Sequence, residues 1–344
     1  MSRKRALITG ITGQDGSYLA ELLLDKGYEV FGFMRRSSTE PLLRIEKLVL
    51  DKRINLINGD LRDKAAIVRA VVEAQPHEIY NLAAQSDVGI SFRCPEETWE
   101  INYHGLGRLV NTVLESKLSP KIYQASTSEM FGETPPPQNE SSLFQPVSPY
   151  AKAKLRAHED YVVGYREKHG LFICSGILFN HESPRRGKHF VTRKITHSLA
   201  KIKLGLQECL ELGNLEAKRD WGHAKDYVEA MWLMLQQETP DDFVIATGES
   251  HSVKEFVENA ANVLRTNIAW KNEGLNCVGR DQFGDVIVRV NQEFYRPSEV
   301  HSLLGDSQKA RKVLGWKPKV TFNQLVEEMA LADFALARSN RPKA

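Results

Sequence analysis

The segment Gly10-Ile11-Thr12-Gly13-Gln14-Asp15-Gly16 lies between a short apolar run and a helical pattern over residues 18–24. Glycines at this spacing permit a tight turn and a close approach of the backbone to a ligand. The N–H groups at the start of the following helix can then hold a pyrophosphate. The spacing is GxxGxxG rather than GxGxxG, so a purely structural turn is the alternative interpretation. The candidate cofactor-binding residues here are Gly10, Thr12, Gly13, Gln14, Asp15 and Gly16.

Short apolar runs alternate with helical patterns through the first half of the chain. Such alternation predicts parallel strands joined by helical crossovers, and wholly apolar strands fit a sheet covered on both faces. The predicted fold class is therefore α/β, a Rossmann-type doubly wound parallel sheet. The predicted strands are residues 6–8, 29–34, 55–57, 78–82, 121–125 and 171–179, and the predicted helices are 18–24, 65–74, 101–114 and 150–168.

The pattern changes after residue 180, which predicts a smaller and more mixed C-terminal lobe. We expect residues 1–180 to form the nucleotide-binding Rossmann domain and residues 181–344 to form mainly the substrate-binding lobe. Segments that return to the first domain are common in such folds. The later predicted helices are 190–204, 224–237, 252–265 and 323–337, with an irregular stretch over 267–290.

The composition narrows the function classes. The chain has 344 residues, with 46 Lys and Arg against 44 Asp and Glu. A near-neutral chain lacks the overall basic charge of a nucleic-acid-binding protein. No run approaches the roughly 18 apolar residues of a membrane span, and the run before Gly10 is too short for a signal peptide. We therefore expect a cytoplasmic protein that binds neither nucleic acid nor membrane.

The four cysteines, by their spacing, argue against a zinc site and against a secreted disulfide framework. They lie far apart in the chain and form no CxxC pair. We expect four reduced thiols and no bound metal. The residues are Cys94, Cys174, Cys209 and Cys277.

Arg35 and Arg36 end the second predicted strand. A dinucleotide fold that prefers NAD places an acid there for the ribose 2′-hydroxyl, whereas arginines suit the 2′-phosphate of NADP. The alternative interpretation is a solvated basic turn. Asp60, which follows the third strand, can accept a hydrogen bond from the adenine amino group. Further candidate cofactor contacts are Leu61 and the segment Leu82, Ala83, Ala84, Gln85 and Ser86.

Tyr150 and Lys154 are four residues apart on a predicted helix, so their side chains share one face. A lysine ammonium beside a phenol favours the phenolate, so we expect a lowered Tyr150 pKa and a base for a hydroxyl proton. Taken alone, most YxxxK matches are ordinary helix surface. The preceding glycine motif makes the catalytic interpretation the better one.

The segment from Ala125 to Gly132 lies at the end of a predicted strand, where open α/β sheets carry their sites. Thr127 can hydrogen-bond a substrate oxygen, and Glu129 can remove or return a proton. In the alternative interpretation, Ser and Thr cap a turn and Glu129 is solvated.

Together these residues resemble the extended short-chain dehydrogenase/reductases. The glycine loop, the segment around Glu129 and the Tyr150–Lys154 pair carry that resemblance. Longer matches resemble, more narrowly, the GDP-mannose 4,6-dehydratases, and they span nearly the whole chain. These matches are GITGQDGSYL from Gly10, NHESPRRG from Asn180, RDWGHAKDYV from Arg219, YRPSEV from Tyr295 and GWKP from Gly315.

The resemblance implies tightly held NADP and a redox-neutral dehydration of GDP-mannose to GDP-4-dehydro-6-deoxy-D-mannose. It implies that Tyr150, with Lys154 and Thr127, removes the C4 hydroxyl proton, and that Glu129 handles the C5 proton. His181 and Arg186 would reach the cofactor, beside Arg35 and Arg36. The substrate-binding residues would be Ser86, Ser128, Asn180, Lys194, Arg219, Arg296 and Glu299.

Three further points follow from the resemblance. Relatives carry a Tyr near the nicotinamide ribose at the position of Glu97, so this chain departs from them there. The protein is expected to be a homo-oligomer, either a dimer or a tetramer. A nucleotide-sugar 4-epimerase or 4-ketoreductase on the same scaffold is the alternative enzyme, and a non-catalytic NADP-binding protein is the alternative outside catalysis.

Overall fold

A computed structural model describes residues 3–38, 42–295, 300 and 302–341. The strands there, in chain order, are β1 (Arg5–Thr9), β2 (Glu29–Met34), β3 (Asn55–Asn58), β4 (Glu78–Asn81), β5 (Lys121–Ala125), β6 (Ile173–Leu178), β7 (Asn180–Glu182), β8 (Leu210–Leu212), β9 (Lys218–Arg219), β10 (Trp221–His223), β11 (Phe243–Ile245), β12 (His251–Ser252), β13 (Ala269–Lys271), β14 (Val278–Arg280) and β15 (Val286–Val290).

The helices of the same residues are α1 (Gln14–Asp25), α2 (Glu46–Leu50), α3 (Lys64–Ala74), α4 (Val88–Arg93), α5 (Pro95–Trp99), α6 (Gly105–Ser116), α7 (Pro149–Ala157), α8 (Gly164–His169), α9 (Val191–Lys203), α10 (Ala224–Leu235), α11 (Val253–Val263), α12 (Gln308–Leu314) and α13 (Phe322–Ser339).

The main sheet has seven strands in the order β11-β6-β5-β4-β1-β2-β3, and every pairing in it is parallel. Both faces are covered by helices, and all residues of β4 and β6 are buried. This confirms the predicted doubly wound sheet. The order reverses beside β1, so the carboxyl ends of β1, β4 and β5 share the crevice in which such folds bind ligands.

The seventh strand, β11, was not predicted, because three residues are too few to show a period. It comes from beyond residue 180, and α10 from the same half packs against α1 and β5. The first lobe is therefore completed by returning segments. The division at residue 180 stays a prediction of the sequence.

The prediction of an irregular stretch over 267–290 is wrong. This stretch forms β13, β14 and β15, which join β8 in a four-stranded sheet. Only the step from β15 to β8 is parallel, and a register shift interrupts β14 and β15 at Gly279 and Arg280. Short, interrupted strands with charged outer faces lack the alternation that would have revealed them.

The helix predicted over 150–168 begins one residue earlier, at Pro149, where Ser148 caps it by accepting from the Ala151 N–H. A π-helical turn over His158–Val163 joins α7 to α8. A second π-helical turn, Glu100–His104, joins α5 to α6. Hydrophobic periodicity does not signal such one-residue insertions, so both helices were predicted as regular.

The second lobe has its own apolar core between α9, α11, α13 and the four-stranded sheet, with Trp221 and Phe256 fully buried in it. Within the described residues, no helix is long and apolar enough to cross a membrane.

The glycine turn between β1 and α1 leaves no room for side chains. Gly10 has φ +70°, and a Cβ there would lie 2.9 Å from the Ala83 backbone. A Cβ on Gly16 would lie 2.4 Å from the Gly10 carbonyl oxygen and 2.6 Å from the Ile11 Cα. The turn therefore depends on glycine at both positions.

Gly16→Ala should destabilise the fold by about 1–3 kcal/mol, because the added methyl must displace rigid backbone. Denaturant unfolding measures the loss. Gly89→Ala is the matched control, since its Cβ would meet only the tip of the Asp87 side chain, 3.2 Å away. Equal stability of the Gly16→Ala and wild-type chains would contradict the crowding argument.

Candidate active site

The ends of β1 and β4 bring two of the predicted cofactor segments together. Thr9, at the end of β1, accepts hydrogen bonds from the Leu82 and Ala83 N–H groups, each at 3.1 Å. This fixes the segment after β4 against the glycine turn. Gln85 is held by Asn102, which accepts from its N–H at 3.0 Å. Ala84 is partly buried in the same segment and Ser86 is exposed.

The start of α1 is suited to an anion. Gly13 is its N-cap and provides no side-chain capping hydrogen bond, so the first helical N–H groups are not capped by it. Together with the close backbone packing that the glycines permit at this turn, this arrangement fits a pyrophosphate. The residues present therefore fit a dinucleotide cofactor.

The outer edge of this crevice is basic, as expected. Arg35 and Arg36 are exposed after β2. Asp60 accepts two side-chain hydrogen bonds from Arg62, at 3.0 and 2.8 Å. Arg62, and more weakly Arg35, lowers the pKa of the Asp60 carboxyl, so Arg35 lies within electrostatic reach of it. Leu61 is buried beside Asp60.

Glu97, the point of departure from the resembled family, lies at this basic edge. Its carboxylate is 3.9 Å from Arg62, and both side chains are about two-fifths exposed. An exposed ion pair of this length is weak. Glu97 is thus directed toward an arginine.

The predicted catalytic residues do meet. Thr127 caps a short 3₁₀ turn, Ser128–Met130, which holds Glu129 at the end of β5. The Thr127 hydroxyl and the Glu129 charge both act on the pKa of the Tyr150 phenol. Thr127, Ser128, Glu129 and Tyr150 are each less than 9% exposed. Three groups suited to hydroxyl binding and proton transfer therefore share one nearly dry site.

The expected lowering of the Tyr150 pKa is not what the protein groups produce. Burial raises the pKa of Tyr150 to about 12, and Glu129 adds to the rise. The hydrogen bond from Thr127 and the charge of Arg186 act the other way but are outweighed. Desolvation of the phenolate is the physical reason that the sequence argument failed.

Lys154 lies one turn from Tyr150 on α7, as predicted, but its Nζ donates to the Ala125 carbonyl oxygen at 2.8 Å. Burial lowers the pKa of Lys154 to about 8. The lysine is therefore held beside the site by the end of β5, with its charge destabilised by the same dry surroundings.

The segment after β6 lies over the glycine turn. His181 Nε2 is 2.8 Å from an Asp15 carboxylate oxygen, and the ring stacks on Tyr227 with 4.5 Å between centroids. Gln14 donates to the His181 carbonyl at 3.1 Å and accepts from Ser183 at 2.8 Å. The predicted cofactor residues of α1 and His181 thus form one hydrogen-bonded unit.

Two arginines extend this contact. Arg185 donates to Ser17 at 3.0 Å and to Glu21 at 2.7 Å, both on α1. Arg44 donates to the Thr12 carbonyl at 3.2 Å and to the Arg185 carbonyl at 2.6 Å. Sequence reasoning missed Arg44 because a single arginine before a short helix carries no motif.

The predicted substrate residues occupy several places around the crevice. Asn180 has a buried Oδ1 with no hydrogen-bond partner among the described residues, so this oxygen is available to accept from a ligand. Arg219 is buried on β9. Arg296 and Glu299 lie outside the described residues.

Lys194 lines a cavity in the second lobe, of about 410 Å³. Its Nζ lies 3.4 Å from the Phe294 ring centroid, and burial lowers its pKa. Glu211 and Arg289 line the same cavity and form an ion pair of 2.6 Å. This cavity suits a polar, charged ligand.

Among the described residues, no cluster of His, Cys, Asp and Glu could hold a metal ion.

A glycine-turn nucleotide crevice beside a buried Thr–Tyr–Lys set defines an extended short-chain dehydrogenase/reductase. The UDP-glucose 4-epimerase of Thermus thermophilus, solved with NAD, has a TM-score of 0.79 and 26% identity, over 98% of this chain and 100% of that one. The UDP-glucose 4-epimerase of Thermotoga maritima, at 22% identity, has a TM-score of 0.80, covers 97% of this chain and 99% of that one, and shows the same fold.

Sequence comparison gives the family within that class. The profile described as GDP-mannose 4,6 dehydratase matches residues 7–329. The human GDP-mannose 4,6 dehydratase is 54% identical, over 98% of this chain and 93% of that protein. The Vibrio cholerae O1 enzyme is 48% identical, over 99% and 96%. The chain belongs to the GDP-mannose 4,6-dehydratase family.

Tyr150→Phe should slow the first oxidation step by about 10²–10⁴-fold, because the phenolate base is lost. In the wild type the rate should rise with pH, since the base form accumulates as pH approaches a raised pKa. The reduced cofactor formed in a single turnover, followed by its absorbance, measures both effects. Tyr165→Phe, whose hydroxyl donates to Asn111, is the control. An unchanged pH-dependent rise in Tyr150→Phe would exclude this phenol as the base.

Proposed function

We propose that the protein is a hydro-lyase that converts GDP-α-D-mannose to GDP-4-dehydro-6-deoxy-D-mannose and water, using NADP. The observation that carries the proposal is the placement of Glu129 beside Thr127 and Tyr150 in one buried site. Membership of the GDP-mannose 4,6-dehydratase family over residues 7–329 supports the substrate.

The chemistry needs a carboxylate as well as a phenol. When bound, NADP would supply the reversible hydride transfer, from C4 of the sugar and back to C6, and its oxidised form would supply a positive charge that favours the phenolate. Tyr150 accepts the proton of the C4 hydroxyl, and Thr127 orients that oxygen through its own hydroxyl. Lys154 adds a positive charge on the same helix face.

Glu129 then acts on C5. A ketone at C4 acidifies the C5–H, and the Glu129 carboxylate removes this proton. The protonated Glu129 delivers it to the departing C6 hydroxyl, which leaves as water. When the hydride is added at C6, C5 takes up a proton, which balances the proton that Tyr150 accepted from the C4 hydroxyl. Ser128 carries a hydroxyl rather than a carboxyl, so Glu129 is the acid as well as the base among these neighbouring residues.

The two nucleotides would be held by different groups. We assign the glycine turn, Asp60, Leu61, the Leu82–Ser86 segment, His181 and Arg186 to NADP, with Arg35 and Arg36 at its 2′-phosphate. We assign Asn180, Lys194 and Arg219, with Ser86 and Ser128, to the nucleotide sugar, and extend the set to Arg296 and Glu299. Cations in this set suit a diphosphate.

A direct assay tests the proposal. The protein is incubated with GDP-mannose and no added NADPH, and the mass of the product is measured by mass spectrometry. A product lighter by one water, with no net change in cofactor, supports the dehydratase. A product of unchanged mass would indicate a 4-epimerase. No conversion of GDP-mannose, together with consumption of NADPH in a parallel incubation with a GDP-4-keto sugar, would indicate a 4-ketoreductase; either outcome would overturn the proposal.

The assembly and the compartment are further parts of the proposal. We propose a homo-oligomer, dimer or tetramer, acting in the cytoplasm on a soluble nucleotide sugar. Light scattering of the purified protein gives the assembly directly.

Glu129→Gln should retain NADP and GDP-mannose binding but lower turnover by about 10²–10⁴-fold, because the amide cannot take the C5 proton. Loss of C5 proton exchange with deuterated solvent, measured by NMR, is the specific signature. Glu133→Gln is the matched control, since Glu133 is exposed and only four residues away. Full turnover in Glu129→Gln would remove this residue from the mechanism.

Arg35→Ala should weaken NADP binding by about 10- to 150-fold and NAD binding by much less, since a guanidinium–phosphate pair is worth about 1.5–3 kcal/mol. Calorimetric titration of both cofactors measures the ratio. Lys168→Ala, an exposed cation at the end of α8, controls for overall charge. An equal loss for NAD and NADP would show that Arg35 does not read the 2′-phosphate.

A further inference from the structure

A buried ion pair joins the last helix to the rest of the second lobe. Arg193 on α9 is 8% exposed and Asp333 on α13 is fully buried. Arg193 Nε donates to both carboxylate oxygens, at 2.7 and 2.6 Å, and Nη2 lies 2.6 Å from Oδ1. Thr196 Oγ1 donates to Oδ2 at 2.6 Å. The carboxylate is therefore fully engaged.

The remaining side of the same guanidinium faces a different segment. Arg193 Nη1 donates to the carbonyl oxygens of Pro184 and Arg186, the latter at 3.0 Å. The donors of a guanidinium lie in one plane at fixed angles. Fixing one edge on Asp333 therefore fixes where the two carbonyls must lie.

The Arg186 side chain, whose carbonyl oxygen is held in this way, lies against Glu182 and Phe190. Its Nε is 3.1 Å from the buried Glu182, and its guanidinium lies 3.7 Å from the Phe190 ring centroid. Burial dominates the pKa of Tyr150, but the Arg186 charge is among the groups that lower it, and it also acts on Asp15. Arg186 is therefore within electrostatic reach of both the phenol and the glycine turn.

We propose that Asp333 and Arg193 are positioning residues that hold Arg186 beside the cofactor and Tyr150. The proposal rests on the proposed function, in which Arg186 binds NADP. A buried ion pair is by itself weak evidence of a stabilising role. The two carbonyl bonds give this pair a more specific task, because they transmit its geometry to one loop.

A double-mutant cycle tests the coupling on the full-length chain. Arg186→Ala should weaken NADP by about tenfold or more, because a charge-assisted contact is lost. Asp333→Asn should weaken NADP about three- to tenfold by displacing Arg186. If Asp333 acts through Arg186, the double variant binds NADP within about twofold of Arg186→Ala alone. Losses that multiply would overturn the proposal.

A pH profile separates positioning from general stability. Loss of a nearby cation raises the pKa of a phenol. The rate of the first oxidation step rises with pH, and this rise should therefore move to higher pH in both Arg186→Ala and Asp333→Asn. An unmoved rise in Asp333→Asn would show that the ion pair is only structural.

Arg193→Lys provides a second test of the positioning role if the Asp333→Asn variant does not fold. Lysine keeps a positive charge opposite Asp333 but cannot span the carboxylate and both carbonyls. It should reproduce the weaker NADP binding and the shifted rise, and wild-type values for both would overturn the proposal. Glu327→Gln is the control, because Glu327 is an exposed carboxylate on α13, the helix that carries Asp333. Because the cycle is read in NADP affinity, its outcome is independent of whether GDP-mannose is the substrate.

Discussion

The contact between Asp15 and His181 is the interaction on which the site depends, because it joins the glycine turn to the segment that leads into the second lobe. Burial alone would raise the pKa of the Asp15 carboxyl and lower that of the His181 imidazole. Each partner reverses this for the other, so the Asp15 pKa is lowered and the His181 pKa is raised. The pair is therefore stabilised in its charged form inside the protein, where breaking it would leave an uncompensated charge.

A second set of contacts links the same turn to Lys154 through the sheet itself. Thr9 donates to Asn81 at 2.7 Å, and Asn81 donates to Gln124 at 2.7 Å. Gln124 donates to the Ala125 carbonyl at 2.8 Å, which also accepts from Lys154. Parallel register places these side chains opposite one another. A chain of buried hydrogen bonds thus connects the aligned strands β1, β4 and β5 to Lys154.

Sequence alone predicted what local motifs encode. The glycine turn, the end of β5 with Thr127 and Glu129, and the Tyr150–Lys154 pair are each local, and parallel strand ends bring them together. The family resemblance placed His181 and Arg186 as well, and family membership is confirmed. What could not be predicted depends on partners distant in sequence. The role of Arg44, the raised pKa of Tyr150 and the strands of 267–290 are of this kind, because burial and long-range pairing determine them.

The loop from Ser183 to Arg185 has a kinetic consequence. It lies across the start of α1 and is held there by Gln14, Ser17 and Glu21. If NADP binds at the glycine turn beneath this loop, it would exchange with solvent only when several of these bonds opened together. Catalytic cycles and cofactor exchange would then run on separate timescales. Flux through such a site would follow the supply of nucleotide sugar and be insulated from swings in the cell's ratio of oxidised to reduced NADP.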